Sequence, residues 1–585
     1  MSRFSESLTT GLILALLASC AGPGKPDSPA ADAAPPAAAP TEAASEIVVT
    51  GTRVARAPQQ SVNAITSVTA ADIASFPPPP PPPVSAPAPL VQGRVAGAER
   101  WQGNFYYRDI GRDKFTATAQ NAFKVVREEP VSTFSLDVDT ASYSFVRGSL
   151  NRNVLPQAAA VRTEEMVNYF PYDYAAARSA QQPFSTNVAV MPSPWSPGRQ
   201  LVRIGVKGYA IEHATRPRAN LVFLIDTSGS MNEPNKLPLV KQSLAMLLDQ
   251  LDGSDSVSIV TYAGSAGTAL EPTPAREKAK IRAVIDGLGA RGSTAGAEGI
   301  RQAYALAEQN LDPKGVNRVI LATDGDFNVG ITNQEELKSY IERERGKGVF
   351  LSVLGFGMGN YNDALMQALA QNGNGAAAYI DTINEARKTL VDEATSTLFP
   401  IAKDVKIQVE FNPRTVAEYR LIGYETRMLN RDDFDNDKVD AGDVGSGQTV
   451  TAIYEVVPVG GPRAIGELRY GPGTATGGPA GELGFVKIRY KLPKSDTSRL
   501  LTTPIDQRVQ FARFDEAPRD ARFAVAVAGF AELLRGGRYN GSLSYDDVLR
   551  IASAARGEDD FGYRSEFLQL VRAARTAQSM AALGQ

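Results

Sequence analysis

Short apolar runs alternate with longer amphipathic stretches between residues 219 and 398. Continuous apolar runs of this kind are typical of strands that are covered on both faces of a sheet. They lie at 221–225 (LVFLI), 257–262 (VSIVTY), 319–322 (VILA) and 349–354 (VFLSVL). Apolar residues recur at helical spacing in the stretches 237–251, 276–288, 297–310, 334–345 and 364–371. The alternation predicts βαβ units, and therefore an α/β fold with a doubly wound, mainly parallel sheet.

Composition limits the chemistry that the chain can carry. Its 585 residues predict two to four domains at roughly 100 to 200 residues each. Because 61 Lys and Arg residues are balanced by 64 Asp and Glu residues, there is no general basic surface for a nucleic acid. Cys20 and His213 are the only cysteine and histidine, which excludes intrachain disulfides, Cys/His zinc sites and most His-based catalysis. A metal bound here must therefore be held by oxygen, and His213 is expected to be a surface residue.

The first nineteen residues are predicted to be an export signal. The apolar run from Leu8 to Ala18 is shorter than the ~20 residues that a membrane-spanning helix needs. It ends in Leu17-Ala18-Ser19-Cys20, which resembles the lipobox of bacterial lipoproteins. The resemblance implies that Cys20 is the lipidated N-terminus and, with Ala21 after it, that the protein is anchored in the outer membrane of a Gram-negative bacterium. Membrane contact would then occur only through the lipid.

Residues 20–100 are rich in Ala and Pro and predict an extended tether. Its seven consecutive prolines, Pro77 to Pro83, form a stiff spacer of about 20 Å at ~3.1 Å per residue. Within the tether, the segment 46–73 resembles the entry to the plug domain of TonB-dependent receptors. We interpret it as a linker or docking peptide, with a β-prone stretch of no such role as the alternative.

Oxygen-bearing side chains follow the predicted strands at their carboxyl ends. Asp226, Ser228 and Ser230 follow the first strand, Asp324 follows the strand at 319–322, and Thr294 precedes the helix at 297–310. Ligands of open α/β sheets bind at this edge. Mg²⁺ prefers six oxygens and gives up its water reluctantly, so hydroxyls backed by carboxylates leave it partly hydrated. These residues predict a metal site; the nearby Asp326 is expected to be an exposed loop carboxylate or a more distant part of that site.

This pattern, DxSxS followed by a Thr and then an Asp, resembles the metal-ion-dependent adhesion site (MIDAS) of von Willebrand factor type A (VWA) domains. The resemblance implies that Ser228, Ser230 and Thr294 coordinate Mg²⁺, Mn²⁺ or Ca²⁺ directly. Asp226 and Asp324 would act mainly through bound water. An Asp or Glu of a protein partner, from the envelope or from outside the cell, would complete the coordination. The implied function is binding by a shared metal, without catalysis.

The flanking segments resemble bacterial VWA lipoproteins of the YfbK type. The resemblance covers about residues 100–580 and is carried by residues 129–143, 162–170, 401–413 and 419–425. It implies an N-terminal module at 101–215, the VWA domain at 219–398 and a C-terminal module at 399–585. Strands of a β-sandwich are predicted at 405–411, 449–457, 466–470 and 485–491, and helices at 519–535, 545–556 and 564–578. We expect the two modules to pack together, with the VWA domain inserted between them.

A second function stays open from the sequence. A hydrolase of phosphate esters could use the same Mg²⁺ to polarise a phosphoryl group, although it would need a base or nucleophile beside the metal. Asp137 and Asp139 resemble the nucleophile loop of haloacid-dehalogenase phosphatases, but the later loops of that family are missing, so we expect both to orient a loop.

Two weaker patterns lie after the metal-site residues. The first is an acidic segment that could be a Ca²⁺ loop or a solvated turn; its members are Asp433, Asp435, Asp437, Asp440 and Asp443. The second is the predicted helix 383–398, which leads directly into the C-terminal module. We hypothesise that sliding of this helix couples the metal site to the flanking modules.

Overall fold

A computed structural model describes residues 115–136, 139–292, 296–325, 334–357, 362–466, 479 and 481–583. Cys20, the tether, Asp137, Thr294 and Asp326 therefore lie outside the described residues. So does the predicted strand 466–470, apart from its first residue.

The strands, in chain order, are β1 (Lys124–Val125), β2 (Val131–Ser135), β3 (Phe184–Pro192), β4 (Gln200–Gly208), β5 (Ala219–Asp226), β6 (Ser256–Tyr262), β7 (Ala266–Pro274), β8 (Val316–Thr323), β9 (Val349–Phe356), β10 (Ala377–Ile380), β11 (Pro400–Phe411), β12 (Val416–Ile422), β13 (Met428–Leu429), β14 (Gly442–Gly445), β15 (Thr449–Pro458), β16 (Gly484–Lys491) and β17 (Ser498–Ile505).

The α-helices, in chain order, are α1 (Ala141–Leu150), α2 (Thr163–Asn168), α3 (Leu237–Gln250), α4 (Lys278–Gly287), α5 (Gly296–Gln309), α6 (Gln334–Gly346), α7 (Asp363–Asn372), α8 (Ile383–Arg387), α9 (Ala394–Leu398), α10 (Arg519–Leu534), α11 (Tyr545–Ala555) and α12 (Tyr563–Leu583).

The central sheet has the strand order β10-β9-β8-β5-β6-β7 and is parallel except for the edge strand β7. Alternate residues of β5 enter different cores: Leu221 and Phe223 pack on the side of α3 and α4, whereas Val222 and Leu224 pack on the side of α5. Because both faces are covered, the middle of the strand, residues 221–225, is apolar at every position. The predicted α/β class with a doubly wound sheet is confirmed. The edge strands β7 and β10 were not predicted, because β7 is mostly not buried and has no apolar run, whereas β10 is apolar but only four residues long.

Two further sheets form a sandwich around one core. Their strand orders are β1-β12-β15-β4-β3 and β13-β2-β11-β16-β17, with β14 paired to β11. Side chains of both sheets, such as Tyr419 from one and Ile407 from the other, belong to the same apolar core. Residues 101–215 and 399–585, which the sequence analysis treats as two modules, contribute strands to the same sheets. The central α/β domain is therefore inserted between two halves of the sandwich.

A helical layer packs against the sandwich. The core of this layer joins α10, α11 and α12 with α1 and α2 and contains the edge-to-face aromatic rings of Phe170, Phe523 and Phe567. Within the described residues, no helix is both long and apolar enough to span a bilayer.

The predicted helix 383–398 is divided into three parts. Between α8 and α9 lies a π-helical segment, Lys388–Asp392, in which the Glu393 N–H donates to the Lys388 carbonyl oxygen at 2.8 Å. Single π-turns inside helices often mark functional sites. The sliding of this segment stays a prediction.

Candidate metal site

Four of the five predicted site residues lie at the carboxyl edge of adjacent strands. Asp226 ends β5, and Ser228 and Ser230 follow it in a loop that continues as a short 3₁₀ helix, Gly229–Asn232. Asp324 comes directly after β8, which pairs with β5 in parallel. The sheet topology thus brings the two loops together, as the sequence predicted.

The fifth residue, Thr294, lies outside the described residues, but the chain just before it is bonded to the first loop. Gly229 N–H donates to the Gly292 carbonyl at 3.0 Å, and Arg291 N–H donates to the Thr227 carbonyl at 2.7 Å. These bonds fix where the segment that leads to Thr294 begins.

The two serine hydroxyls are hydrogen-bonded to each other, at a distance that also suits neighbouring ligands of an octahedral metal. Ser228 Oγ and Ser230 Oγ are 3.0 Å apart. Neighbouring ligands of an octahedral Mg²⁺ at about 2.1 Å lie about 3.0 Å from one another. Ser228 is buried, whereas Ser230 is exposed, so the pair opens toward solvent on one side. The residues present therefore fit a small, hard divalent cation.

Asp226 is a buried carboxylate with a fixed orientation. Its Oδ1 accepts from the Ser228 backbone N–H at 2.8 Å, and its Oδ2 lies 3.5 Å from the Thr323 hydroxyl. Burial raises the pKa of Asp226 to about 6; the charge of Asp324 also raises it, and the Ser228 hydrogen bonds oppose the rise. Burial disfavours the charged form of this carboxylate, and a nearby cation would stabilise that form.

Lys236 is a member of the site that the sequence analysis missed. Its Nζ donates to the Ser230 carbonyl at 3.1 Å and to Asp324 Oδ2 at 3.2 Å, and the residue is buried. In the sequence it is one polar residue before an apolar helix, and nothing there shows which way its side chain turns.

The described residues contain no cluster of three or more His, Cys, Asp or Glu side chains placed to hold a metal. The acidic segment that could be a Ca²⁺ loop or a solvated turn forms ion pairs and hydrogen bonds with protein groups, and Asp435 shares Arg489 with Asp437. Asp437 pairs with Arg489 at 3.0 Å, Asp440 pairs with Arg345, and Asp433 Oδ2 accepts from the Asn430 N–H at 2.9 Å. The segment is a salt-bridged turn.

Asp139 has a structural position, as the sequence analysis expected. Its Oδ1 accepts from the Ala377 N–H at 2.8 Å and its Oδ2 from Arg427 Nη2 at 2.8 Å. It therefore attaches the segment before α1 to the edge strand β10 and to the sandwich.

Comparison with known proteins identifies the family. The chain matches the von Willebrand factor type A domain over residues 220–393, the family described as "Uncharacterized protein YfbK, C-terminal" over 396–577, and the family described as "von Willebrand factor" over 109–203. It is 42% identical over 473 residues to the uncharacterized protein YfbK of Escherichia coli (strain K12), with 79% of this chain and 81% of that protein covered. The chain belongs to the family of bacterial VWA proteins of the YfbK type.

Solved structures of VWA proteins are among those similar to this chain. A von Willebrand factor type A protein from Catenulispora acidiphila has 14% identity, covers 69% of this chain and 91% of its own, and gives a TM-score of 0.39. Proximal thread matrix protein 1 from the mussel byssus, in a structure described as having a zinc-occupied MIDAS motif, has 23% identity, covers 30% of this chain and 45% of its own, and gives a TM-score of 0.25. VWA domains typically mediate protein–protein interaction.

Proposed function

We propose that this YfbK-type protein is an envelope lipoprotein whose VWA domain binds a protein partner through a divalent cation, Mg²⁺ first among the candidates. The observation that carries the proposal is the 3.0 Å separation of the two serine hydroxyls beside the buried carboxylates Asp226 and Asp324. Ser228 and Ser230 would hold the ion directly, with Thr294 as the third hydroxyl. Asp226 and Asp324 would hold its water molecules.

The bound cation would supply a positive centre that accepts one more oxygen ligand. The site favours an anionic ligand, because its direct ligands are neutral hydroxyls and leave the charge of the ion largely uncompensated. Asp and Glu are the protein side chains that provide such an oxygen. The exposed position of Ser230 supports access by a partner from solvent.

The same residues give little support to the hydrolase. A hydrolase needs a base or nucleophile that is free to act beside the metal. Asp226 accepts hydrogen bonds from its own loop, and the ammonium of Lys236 contacts Asp324. Turnover of a phosphate ester by the purified protein with Mg²⁺ would nevertheless contradict a purely adhesive function.

Metal binding can be tested with a matched pair of serine variants. We expect calorimetry with Mg²⁺ and Mn²⁺ to show one site in the wild type and none in Ser228→Ala. Ser258→Ala is the control, because Ser258 is also buried in this sheet but lies inside β6, away from the loops. Flat titrations of the wild-type protein would contradict the proposed site.

Partner binding is tested by crosslinking in intact envelopes with and without a chelator. We expect one or more crosslinked proteins to disappear when the divalent ions are removed and in the Asp226→Ala variant. If the crosslinks were lost with the chelator but kept in Asp226→Ala, the metal dependence would arise at a different site.

The anchor is tested separately by metabolic labelling with palmitate and by membrane fractionation. We expect the wild type to carry label and to sediment with outer membranes. Cys20→Ser is expected to be unlabelled and soluble in the periplasm; if it still sediments, anchoring does not depend on the lipid.

A further inference from the structure

Lys236 places a fixed positive charge inside the metal site. The residue is 3% exposed, and its Nζ lies 3.6 Å from Oε1 of the largely exposed Glu233. Nζ donates to two acceptors, the Ser230 carbonyl at 3.1 Å and Asp324 Oδ2 at 3.2 Å. Both acceptors belong to the loops that carry the predicted ligands. A lysine is rarely buried unless its charge is paired, so these contacts hold the ammonium in place.

The structure makes room for this lysine through a glycine on a third loop. Gly357 follows β9 and has φ +73°, a conformation that favours glycine. A Cβ at this position would lie 2.5 Å from Cε and 2.6 Å from Cγ of Lys236, so any other residue would collide with the lysine side chain. The Gly357 carbonyl is held at 2.6 Å by the Tyr379 hydroxyl, which donates to it. The methylene chain of Lys236 thus packs directly against the backbone of Gly357.

The ammonium changes the charge balance of the site. The two carboxylates, Asp226 and Asp324, outnumber the single ammonium when no metal is present. Among these three buried groups, a divalent cation makes the total charge positive, whereas without the lysine it would be neutral. The carboxylate of Glu233 is not counted, because its side chain is largely exposed and its charge is screened by water. The repulsion between the ammonium and the cation weakens cation binding, and the excess positive charge attracts an anion.

We propose that Lys236 is a specificity-determining residue. Its ammonium lowers the affinity of the site for the divalent cation and raises the affinity of the metal-loaded site for a carboxylate ligand. The proposal rests on the metal-dependent binding function described above. It explains why the chain retains a costly buried lysine beside a site for a cation. A lysine that only satisfied Asp324 would leave ligand affinity unaffected.

The test uses the full-length protein, with Mn²⁺ and acetate as probes. Lys236→Met keeps most of the methylene chain and removes the charge. We expect its Mn²⁺ dissociation constant, measured from the electron paramagnetic resonance signal of free Mn²⁺, to fall roughly tenfold, because the ammonium no longer repels the cation. The acetate concentration that displaces metal-bound water, followed by water-proton relaxation, is expected to rise by a similar factor.

Lys491→Met is the matched control. Lys491 is also buried and pairs with one carboxylate, Asp404, at 2.8 Å, but it lies in β16 of the sandwich and not in the central domain. We expect its Mn²⁺ and acetate affinities to equal those of the wild type.

Gly357→Ala provides a second variant if Lys236→Met does not fold. Its Cβ would displace the Lys236 side chain. We expect tighter Mn²⁺ binding in this variant as well, because the ammonium moves away from the site. Unchanged or weaker Mn²⁺ binding in the folded lysine variant would overturn the role of Lys236 while leaving the metal site intact. A wild-type protein that binds no Mn²⁺ would instead contradict the proposed function itself.

Discussion

Two buried clusters of charge lie at the carboxyl edge of the same sheet, and they differ in what occupies their centres. The metal site follows β5 and β8 and has a pair of hydroxyls that opens toward solvent. The second, which we call the Arg147 cluster, consists of Arg147, Asp381, Glu385 and Glu566, and Asp381 directly follows β10. The comparison shows that a carboxylate at a strand end is not by itself a sign of a ligand site.

In the Arg147 cluster a guanidinium already fills the centre. Arg147 Nη2 donates to Asp381 and, at 2.8 Å, to Glu385, and its Nη1 donates to Glu566 at 3.1 Å and to the Tyr169 hydroxyl at 2.9 Å. Burial would lower the pKa of Arg147, but Glu385 and the other neighbours raise it well above the ordinary value. The cluster joins α1, α8 and α12, so it holds the VWA domain to the helical layer.

Removal of the Arg147 guanidinium should have the largest effect on stability. We expect Arg147→Met to lower the free energy of unfolding by about 3–5 kcal/mol, because the buried acids lose their shared cation. Urea denaturation measures the change. Arg508→Met, which removes an exposed arginine paired with Asp506, is the control and should leave the midpoint unchanged. Equal stability of Arg147→Met and wild type would show that the cluster is not structural.

Another buried acid, Glu164, belongs to neither cluster. Its carboxylate accepts a hydrogen bond from the Tyr424 backbone N–H at 2.9 Å. Burial, followed by the charges of Glu425 and Glu165, raises the pKa of Glu164 to about 7 from an ordinary 4.5. The folded protein therefore binds this proton more tightly than the unfolded chain. The resulting stabilisation is complete below pH 4.5 and is lost as the pH rises through 7.

We expect the wild type to lose up to about 3 kcal/mol relative to Glu164→Gln between pH 4.5 and pH 8. Urea denaturation of both proteins across this range gives the difference. Parallel pH profiles would mean that Glu164 titrates normally in the folded state.

Mg²⁺ should distinguish the open site from the closed cluster. At a Mg²⁺ concentration 100 times the dissociation constant, we expect the free energy of unfolding of the wild type to rise by about 2.7 kcal/mol. Ser228→Ala should lose this gain, whereas Arg147→Met, although less stable, should keep it. If Arg147→Met lost the gain, the two clusters would be coupled, as the hypothesis of a sliding 383–398 segment requires.

The smallest expected change in stability comes from replacing one buried aspartate of each cluster by asparagine. In the absence of metal at pH 8, we expect Asp226→Asn to raise the free energy of unfolding by about 1 kcal/mol, because it removes a buried charge that repels Asp324. Asp381→Asn should lower it, because it removes an acceptor of Arg147. Thermal melts of the two variants should therefore shift in opposite directions, and shifts of the same sign would contradict the contrast between the clusters.

Much of the central domain could be predicted because its signals are local. The run that became β5 is apolar at every position since both faces of the strand are covered, and the order of Asp226, Ser228, Ser230 and Asp324 places them after neighbouring strands. The edge strand β7 gave no such signal. Only Leu270 and Thr273 are buried in it, and it contains one Gly and two Pro residues, so its sequence resembles a loop.

The sequence by itself determined the α/β class, the edge of the sheet where the site lies and the oxygen chemistry of its ligands. Each of these follows from local features: a strand buried on both faces is a run of apolar residues, and the identity of a side chain gives its ligand atoms. Only the tertiary structure decided that Lys236 enters the site, that Arg147 closes a second cluster at the same edge, and that both flanking segments complete one sandwich. These outcomes depend on contacts between residues as far apart as Arg147 and Glu566, which no local pattern records.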